Sequence, residues 1–299
     1  MVQYCRLSDY LQQRFGCKVY KLALEGGMTC PNRDGTLGTR GCMFCGADGS
    51  GAFAQSGATV WVQIEAAKTR VAAKIKNGKY IAYFQNFTNT YGPLPYLESL
   101  FRAAISHPDV AVLSIATRPD CLPEPVLELL AELNRLKPVW VELGLQTIHE
   151  ETARYLRRGY DLPVYEQAVD ALKARGMEVI THVILYLPGE TREQMLETVR
   201  YVGTRTDGIK LQLLHVLQNT DLAEEYAAGK FRLPEPEEYC RLIAECLRNL
   251  PPHVVIHRLT GDGAKKDLIA PLWTGDKKRV LNTLNRLLEE EQVVQGADL

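Results

Sequence analysis

Between residues 18 and 217 the sequence alternates short apolar runs with longer amphipathic ones. VYKLAL (19–24), YIAYFQNF (80–87), VAVLSIA (110–116), VWVELGLQ (139–146), MEVITHVILYL (177–187) and GIKLQLLHVL (208–217) are rich in β-branched residues or flanked by turn formers, which predicts six strands. The segments 61–76, 94–105, 123–136, 164–175 and 191–203 have apolar residues at three- and four-residue spacing, which predicts helices. Strands alternating with helices imply a parallel sheet. In VELGLQ, Val141, Leu143 and Leu145 alternate with Glu142, Gly144 and Gln146; in IKLQLL, Lys210 and Gln212 alternate with leucines. One strand face is therefore polar, as a lumen would be. A doubly wound sheet buried on both faces would read more uniformly apolar. The expectation is an α/β fold, a partial (βα)6 TIM-type barrel over 18–217. A short N-terminal cap (1–17) precedes it, and a C-terminal α/β extension (218–299) packs on it, with helices at 235–250 and 276–291 and a short strand at 253–257.

The loop after the first strand carries the chemistry. CPNRDGTLGTRGCMFCGADGSG (30–51) holds Cys30, Cys42 and Cys45 in a C-x11-C-x2-C spacing. A closed structural zinc site takes four protein ligands. A [4Fe–4S] cluster also has four corners, so three thiolates leave one iron open to a small molecule. Gly35, Gly38 and Gly41 let the ends of the long insert close on one cluster. Active sites of barrels sit at the C-terminal ends of the strands, where this loop lies. Two other readings compete: a zinc ribbon with Cys17 as fourth ligand, and a thioredoxin-like redox pair, which leaves Cys30 and the glycines unexplained. Phe44, between the paired cysteines, is placed to shield a cluster or stack on an adenine, against the plainer role of core packing. Cys5, Cys17, Cys121, Cys240 and Cys246 have no cluster spacing, and no auxiliary cluster is expected.

Composition excludes other classes. The chain has 299 residues, 46% hydrophobic and 24% charged, with net charge −1. That charge argues against a protein dominated by nonspecific phosphate binding. The basic clusters Lys74/Lys76/Lys79, Arg154/Arg157/Arg158 and Lys277/Lys278/Arg279 read first as solvated helix faces. No apolar run has the length of a membrane span, and the N-terminus lacks a signal-peptide core, so a cytoplasmic location and no membrane partner are expected. Eight cysteines in a chain of this length do not make a disulfide scaffold. The oligomeric state is not legible.

The cysteine loop resembles the cluster loop of the radical S-adenosylmethionine (SAM) superfamily, in its Elp3-like and coproporphyrinogen-oxidase-like group. The usual spacing there is C-x3-C-x2-C. The long insert, together with CPNRDGT, GCMFC, FQNFTNTYG (84–92), VELGLQT (141–147), LPGET (187–191) and HRLTGDG (257–263), is similar to the YhcC/YtqA-like subgroup. The resemblance implies a [4Fe–4S] cluster on Cys30, Cys42 and Cys45, SAM on the open iron, a 5′-deoxyadenosyl radical, and an external electron donor of flavodoxin or ferredoxin type. It implies SAM contacts from Thr88, Asn89 and Thr90 in the place of a glycine-rich motif, here without its two glycines. Gln146, Arg158 and His182 match further SAM-facing positions, with Arg157 competing for the carboxylate. Glu142, Lys210 and His215, with Gln212, are the candidates for acting on the substrate, although a buried Lys210–Glu142 ion pair reads equally well. Arg258 and Asp262 would shape the mouth, and Gly189, Glu190 and Thr191 would make a turn and helix cap. The resemblance further points to tRNA wobble uridine, with radical-initiated loss of the carboxymethyl unit of 5-carboxymethylaminomethyluridine to give 5-aminomethyluridine. The alternatives are radical chemistry on a small metabolite or peptide, and a zinc-stabilised binding protein without catalysis.

Overall fold

All six strand-like runs form strands, each parallel to the next. β1 (Val19–Leu24), β2 (Lys79–Phe84), β3 (Val110–Thr117), β4 (Val139–Gln146), β5 (Glu178–Leu185) and β6 (Gly208–Leu213) stand side by side in chain order. The computed structural model describes residues 3–46, 49, 54–75, 77–261 and 266–299. Two features depart from the sequence pattern. The sixth run stops at Leu213, where pairing with Leu185 ends, and Val216–Leu217 forms a separate strand, β7. Val255–Arg258 (β8) joins the sheet beside β6, so the barrel has seven parallel strands rather than six. β7 pairs antiparallel with β9 (Leu268–Ala270) in a sheet of their own.

Helices α1 (Leu7–Phe15), α2 (Val60–Val71), α3 (Leu94–Ser106), α4 (Glu124–Asn134), α5 (Glu150–Tyr155), α6 (Leu162–Ala174), α7 (Arg192–Gly203), α8 (Asp221–Ala227), α9 (Pro236–Arg248) and α10 (Lys277–Glu290) complete the fold. Their starts follow local chemistry. Thr59 caps α2 through Val62 N–H, and Thr191 with Gln194 forms a capping box on α7. Gly176, at φ +71°, follows the end of α6 in a conformation that costs glycine little. α5 and α8 have six and seven residues, too short for a periodic signal.

Strand alternation sorts side chains onto two faces. Ala82, Phe84, Leu113, Val141, Leu143 and Leu211 join the core shared with the helices. Val19, Ile81, Val112, Trp140 and Ile180 make a second, inner core with Leu11 of α1. α1 thus plugs the lower end of the lumen. It is fixed by Tyr10 Oη donating to Glu178 at 2.8 Å and by an Arg14–Glu178 ion pair. The preceding residues run along β8: Ile256 N–H donates to Cys5 O at 2.8 Å, and Gln3 bridges Val294.

Leu11 is the one fully buried residue of α1. Leu11→Ala is expected to cost about 2–5 kcal/mol, read as a lower urea midpoint, with hydrogen exchange rising first in α1. An unchanged midpoint would show that α1 does not hold the lumen shut.

Candidate active site: a three-thiol rim over a charged lumen

The loop between β1 and α2 is tied down by its own polar groups. Arg33 N–H donates to Cys30 O at 2.8 Å, Leu37 N–H to Pro31 O at 2.8 Å, and Gly41 N–H to Asn32 O at 2.8 Å. Gly41 has φ +74°, and a Cβ there would lie 3.0 Å from the Arg33 side chain. Arg33 Nη2 in turn donates to Cys45 O (2.7 Å) and Gly46 O (2.6 Å), drawing the two ends of the insert together. Buried Asn32 donates to Arg157 O at 2.7 Å and meets Cys42 Sγ at 3.3 Å.

Cys30, Cys42 and Cys45 line one cavity of about 500 Å³ that runs down into the lumen. Burial, and then the neighbouring Cys45, push the Cys42 thiol up to about 11. Burial raises Cys45 as well. Thiols held protonated this way become good ligands once a metal supplies the compensating charge. Among the described residues, the set of three whose ligand atoms all lie within 4.8 Å of one another is Glu65, His107 and Asp109, already bridged by Lys68; the three thiols are spread wider. A single zinc would draw its sulfurs to about 3.8 Å apart, from Zn–S bonds of about 2.3 Å. The open thiol set therefore fits a polynuclear cluster. Cys17 is no fourth ligand. It packs with the inner core before Val19, separated from the loop by the length of β1, roughly 20 Å at about 3.3 Å per residue.

Around this rim, Phe44, Thr88, Gln146 and Arg158 line the cavity. Thr88 Oγ1 is buried without a partner, a polar atom awaiting a ligand group. Asn89 and Thr90 do not line it. Asn89 Nδ2 donates to Phe84 O (3.2 Å) and Ala116 O (2.9 Å), and Thr90 Oγ1 meets Thr117 Oγ1 and Cys121 O at 2.5 Å. They fasten the loop to β3. Gln146 closes β4 at φ +69°, with its amide oriented to donate to Leu145 O at 2.8 Å. Arg158 is largely committed already, donating to Tyr160 O (2.8 Å), Thr147 O (2.7 Å) and Glu150 (2.9 Å). Arg157 turns away to Asp221. A second rim arginine, Arg118, escaped sequence reading because TRPD reads as a turn. It forks onto Asp120 at 2.7 and 2.9 Å and flanks the Tyr160 ring opposite Arg158.

Glu142 occupies the centre of the lumen, fully buried. It accepts hydrogen bonds from Lys21 (2.6 Å), Ser114 (2.7 Å), His182 (2.8 Å) and Lys210. Burial alone would raise its pKa, but the charges of Lys21 and Lys210 and the His182 bond hold it well below the carboxylate range. With all its acceptor positions filled, Glu142 orients its neighbours and has no lone pair left for a base's work. Burial, aided by Lys210, lowers His182 to about 4 against the pull of Glu142, so the imidazole is neutral near pH 7. Sequence reading missed Tyr83, whose Oη accepts from Lys210 at 3.0 Å, and Lys21. The period-two rule on VYKLAL and YIAYF would have placed both inward. Gln212, His215 and Arg258 also line the cavity, and His215 Nε2 lies 3.1 Å from Thr274 Oγ1. Glu190 accepts from Thr147 at 2.5 Å and Thr191 caps α7; Gly189 takes φ +86° in the turn before them. Asp262 lies outside the described residues.

Residues 35–202 match the Radical SAM superfamily, and residues 206–290 match the Radical_SAM C-terminal domain. The chain belongs to the radical SAM superfamily. Enzymes of this superfamily bind a [4Fe–4S] cluster and SAM and need an electron donor. The chain is 44% identical to the uncharacterized protein YtqA of Bacillus subtilis (98% of this chain, 92% of YtqA). It is 38% identical to protein YhcC of Escherichia coli K12 (97% and 93%). Among solved structures, Methanocaldococcus infernus Elp3 lacking its N-terminus superposes with a TM-score of 0.71 at 18% identity, covering 93% of this chain and 64% of that one. The partial barrel is thus shared with Elp3, and the match takes in about two thirds of that truncated Elp3 chain. Among the described residues no helix is long and apolar enough to cross a membrane.

Two outcomes follow from the lumen charges. Glu142→Gln leaves buried Lys210 and half-buried Lys21 without their carboxylate and is expected to lower stability by about 3–5 kcal/mol, measured by urea unfolding at neutral pH. His182 binds its proton more weakly folded (about 4) than unfolded (6.5). Between those values the unfolded chain holds the extra proton, so stability rises with pH across that window. His182→Gln should flatten that rise by up to about 3 kcal/mol; an unchanged slope from pH about 4 to about 7 would contradict it.

Proposed function

We propose that this radical SAM enzyme acts on the wobble uridine of tRNA, removing the carboxymethyl unit of 5-carboxymethylaminomethyluridine to leave 5-aminomethyluridine. The observation that carries the reading is the lumen itself, a charged, hydrogen-bonding floor beneath a rim of three open thiols. The choice of wobble uridine rests on the resemblance of the chain's motifs to the Elp3-like group. A cavity of about 500 Å³ admits one nucleotide's side chain but not a duplex, so the base has to be turned out of its stack to enter.

Cys30, Cys42 and Cys45 would hold the cluster, while Thr88 and Gln146 face SAM, with Arg158 and Arg118 setting the positive rim around its carboxylate. Phe44 and Phe87 line the same cavity and keep water from the reacting centre. When bound, the cluster and SAM supply a 5′-deoxyadenosyl group to accept a hydrogen atom and an oxidised iron site to accept one electron. Loss of both from the substrate's N–CH2–COO⁻ unit would give an iminium ion; water adds to its carbon and passes one proton to the nitrogen, the C–N bond breaks, and glyoxylate and a proton leave behind the aminomethyl amine. Neutral His182 and the Lys210–Tyr83 pair order the polar side of the lumen for that substrate. The reading places the enzyme in the cytoplasm with a flavodoxin- or ferredoxin-type donor.

The test is anaerobic turnover with SAM and reductant, with and without tRNA from a strain lacking the gene. The reconstituted enzyme is expected to carry about four irons per chain, to lose them in Cys42→Ser, and to form more 5′-deoxyadenosine when tRNA is added. That strain's tRNA should accumulate the carboxymethylaminomethyl nucleoside. An unchanged nucleoside profile would remove the wobble-uridine reading. Turnover indifferent to tRNA would point to a small metabolite or a peptide.

A further inference from the structure

Among the described residues, the lumen floor sets two lysines on one carboxylate. Lys21 and Lys210 both direct their ammonium groups at Glu142, which also accepts from Ser114 and His182. A carboxylate offers about four lone-pair sites, and all are taken. The lysines are not saturated. An ammonium has three donors; among the described residues Lys210 uses two, on Glu142 and Tyr83, and Lys21 uses one, on Glu142. Both Nζ atoms stand 4.4 Å from the centre of the Tyr83 ring.

The cations of the rim are held differently, Arg33 by the carbonyls of Cys45 and Gly46. At the rim, Arg118 and Arg158 have their own carboxylates, Asp120 and Glu150. Among the described residues, the acidic residue lining the cavity besides Glu142 is Asp267, next to β9. Lys21 and Lys210 each stand three residues before the end of their strand, about 10 Å back from it at about 3.3 Å per residue. A buried ammonium without a matching anion is costly. Burial lowers the Lys210 pKa against the pull of Glu142, and a second anion would add to that pull.

We infer that Lys210, beside the Tyr83 ring and backed by Lys21 across Glu142, forms a receptor for a carboxylate at the buried end of the substrate. The inference rests on the wobble-uridine reading and deepens it. The carboxylate of the carboxymethylaminomethyl group is the feature recognised, and the carbon one bond above it is presented toward the thiol rim. The aminomethyl product lacks the carboxylate and so loses its hold on the floor. Substrate and product are told apart by a single charged group.

The test uses cluster-loaded protein with SAM and no reductant. Two anticodon-arm hairpins are compared, one with 5-carboxymethylaminomethyluridine and one with its carboxamide. Wild type is expected to bind the carboxylate form about ten-fold more tightly, and Lys210→Met to bring the ratio near one; the ratio is independent of any general loss of affinity. In a second arm, acetate, acetamide and inorganic phosphate are titrated against protein with isotope-labelled lysine side-chain nitrogen. The Lys210 resonance, assigned by its absence in Lys210→Met, is expected to move with acetate and not with acetamide. Equal binding of the two hairpins by wild type overturns the inference. If neither hairpin binds, the tRNA reading fails and the acetate arm decides. A shift then supports a carboxylate site for another substrate; no shift, or a shift with phosphate alone, overturns it.

Discussion

A single buried carboxylate organises this barrel. Glu142 on β4 reaches Lys21 on β1, Ser114 on β3, His182 on β5 and Lys210 on β6. Five of the seven sheet strands are therefore connected through one side chain across the lumen. A half-barrel has no closing strand pair to fix its curvature. Cross-lumen bonds of this kind supply that constraint, and they also place every polar group that a substrate would meet. Replacing such a hub by apolar residues is often neutral for stability elsewhere, so its presence here is better explained by what it positions.

Three levels follow from strand alternation. Apolar inward residues and α1 close the bottom, the Glu142 network forms the middle, and the cysteine loop covers the top. Each level is two residues of strand above the last. Trp140, Glu142 and Gly144 on β4 run through all three, ending with the bare glycine where the cavity opens. The same chain register that seals the lumen thus also clears space at the rim.

Much of this was legible in the sequence because it depends on periodicity. The strands β1 to β5, the polar inward face of β4 and β6, and the three thiols all come from spacing alone. What was not legible depends on three-dimensional closure. GIKLQLLHVL stays apolar to its end, so nothing in hydropathy marks the bend after Leu213. VVIH reads as a strand, but four residues do not say which sheet they join. Asn89 and Thr90 sit beside Thr88 in one motif, yet only Thr88 lines the cavity, because the turn after β2 sends the other two side chains to β3. Arg158 looked like a donor for a ligand, and backbone carbonyls and Glu150 occupy most of it.

The edge of the sheet is finished by segments far apart in the chain. Cys5 N–H donates to the Gln295 side chain, which itself donates to Pro251 O and Val254 O just ahead of β8. A ribosome releases residue 5 long before residue 295. Until the later segment emerges, β8 and the plug at the bottom of the lumen lack their final ties, even though the three cysteines have been outside for most of synthesis. The thiol loop is thus exposed to metal and oxygen on a nascent chain whose protecting cavity is unfinished. Iron delivery to this protein is consequently a problem of timing as much as of affinity.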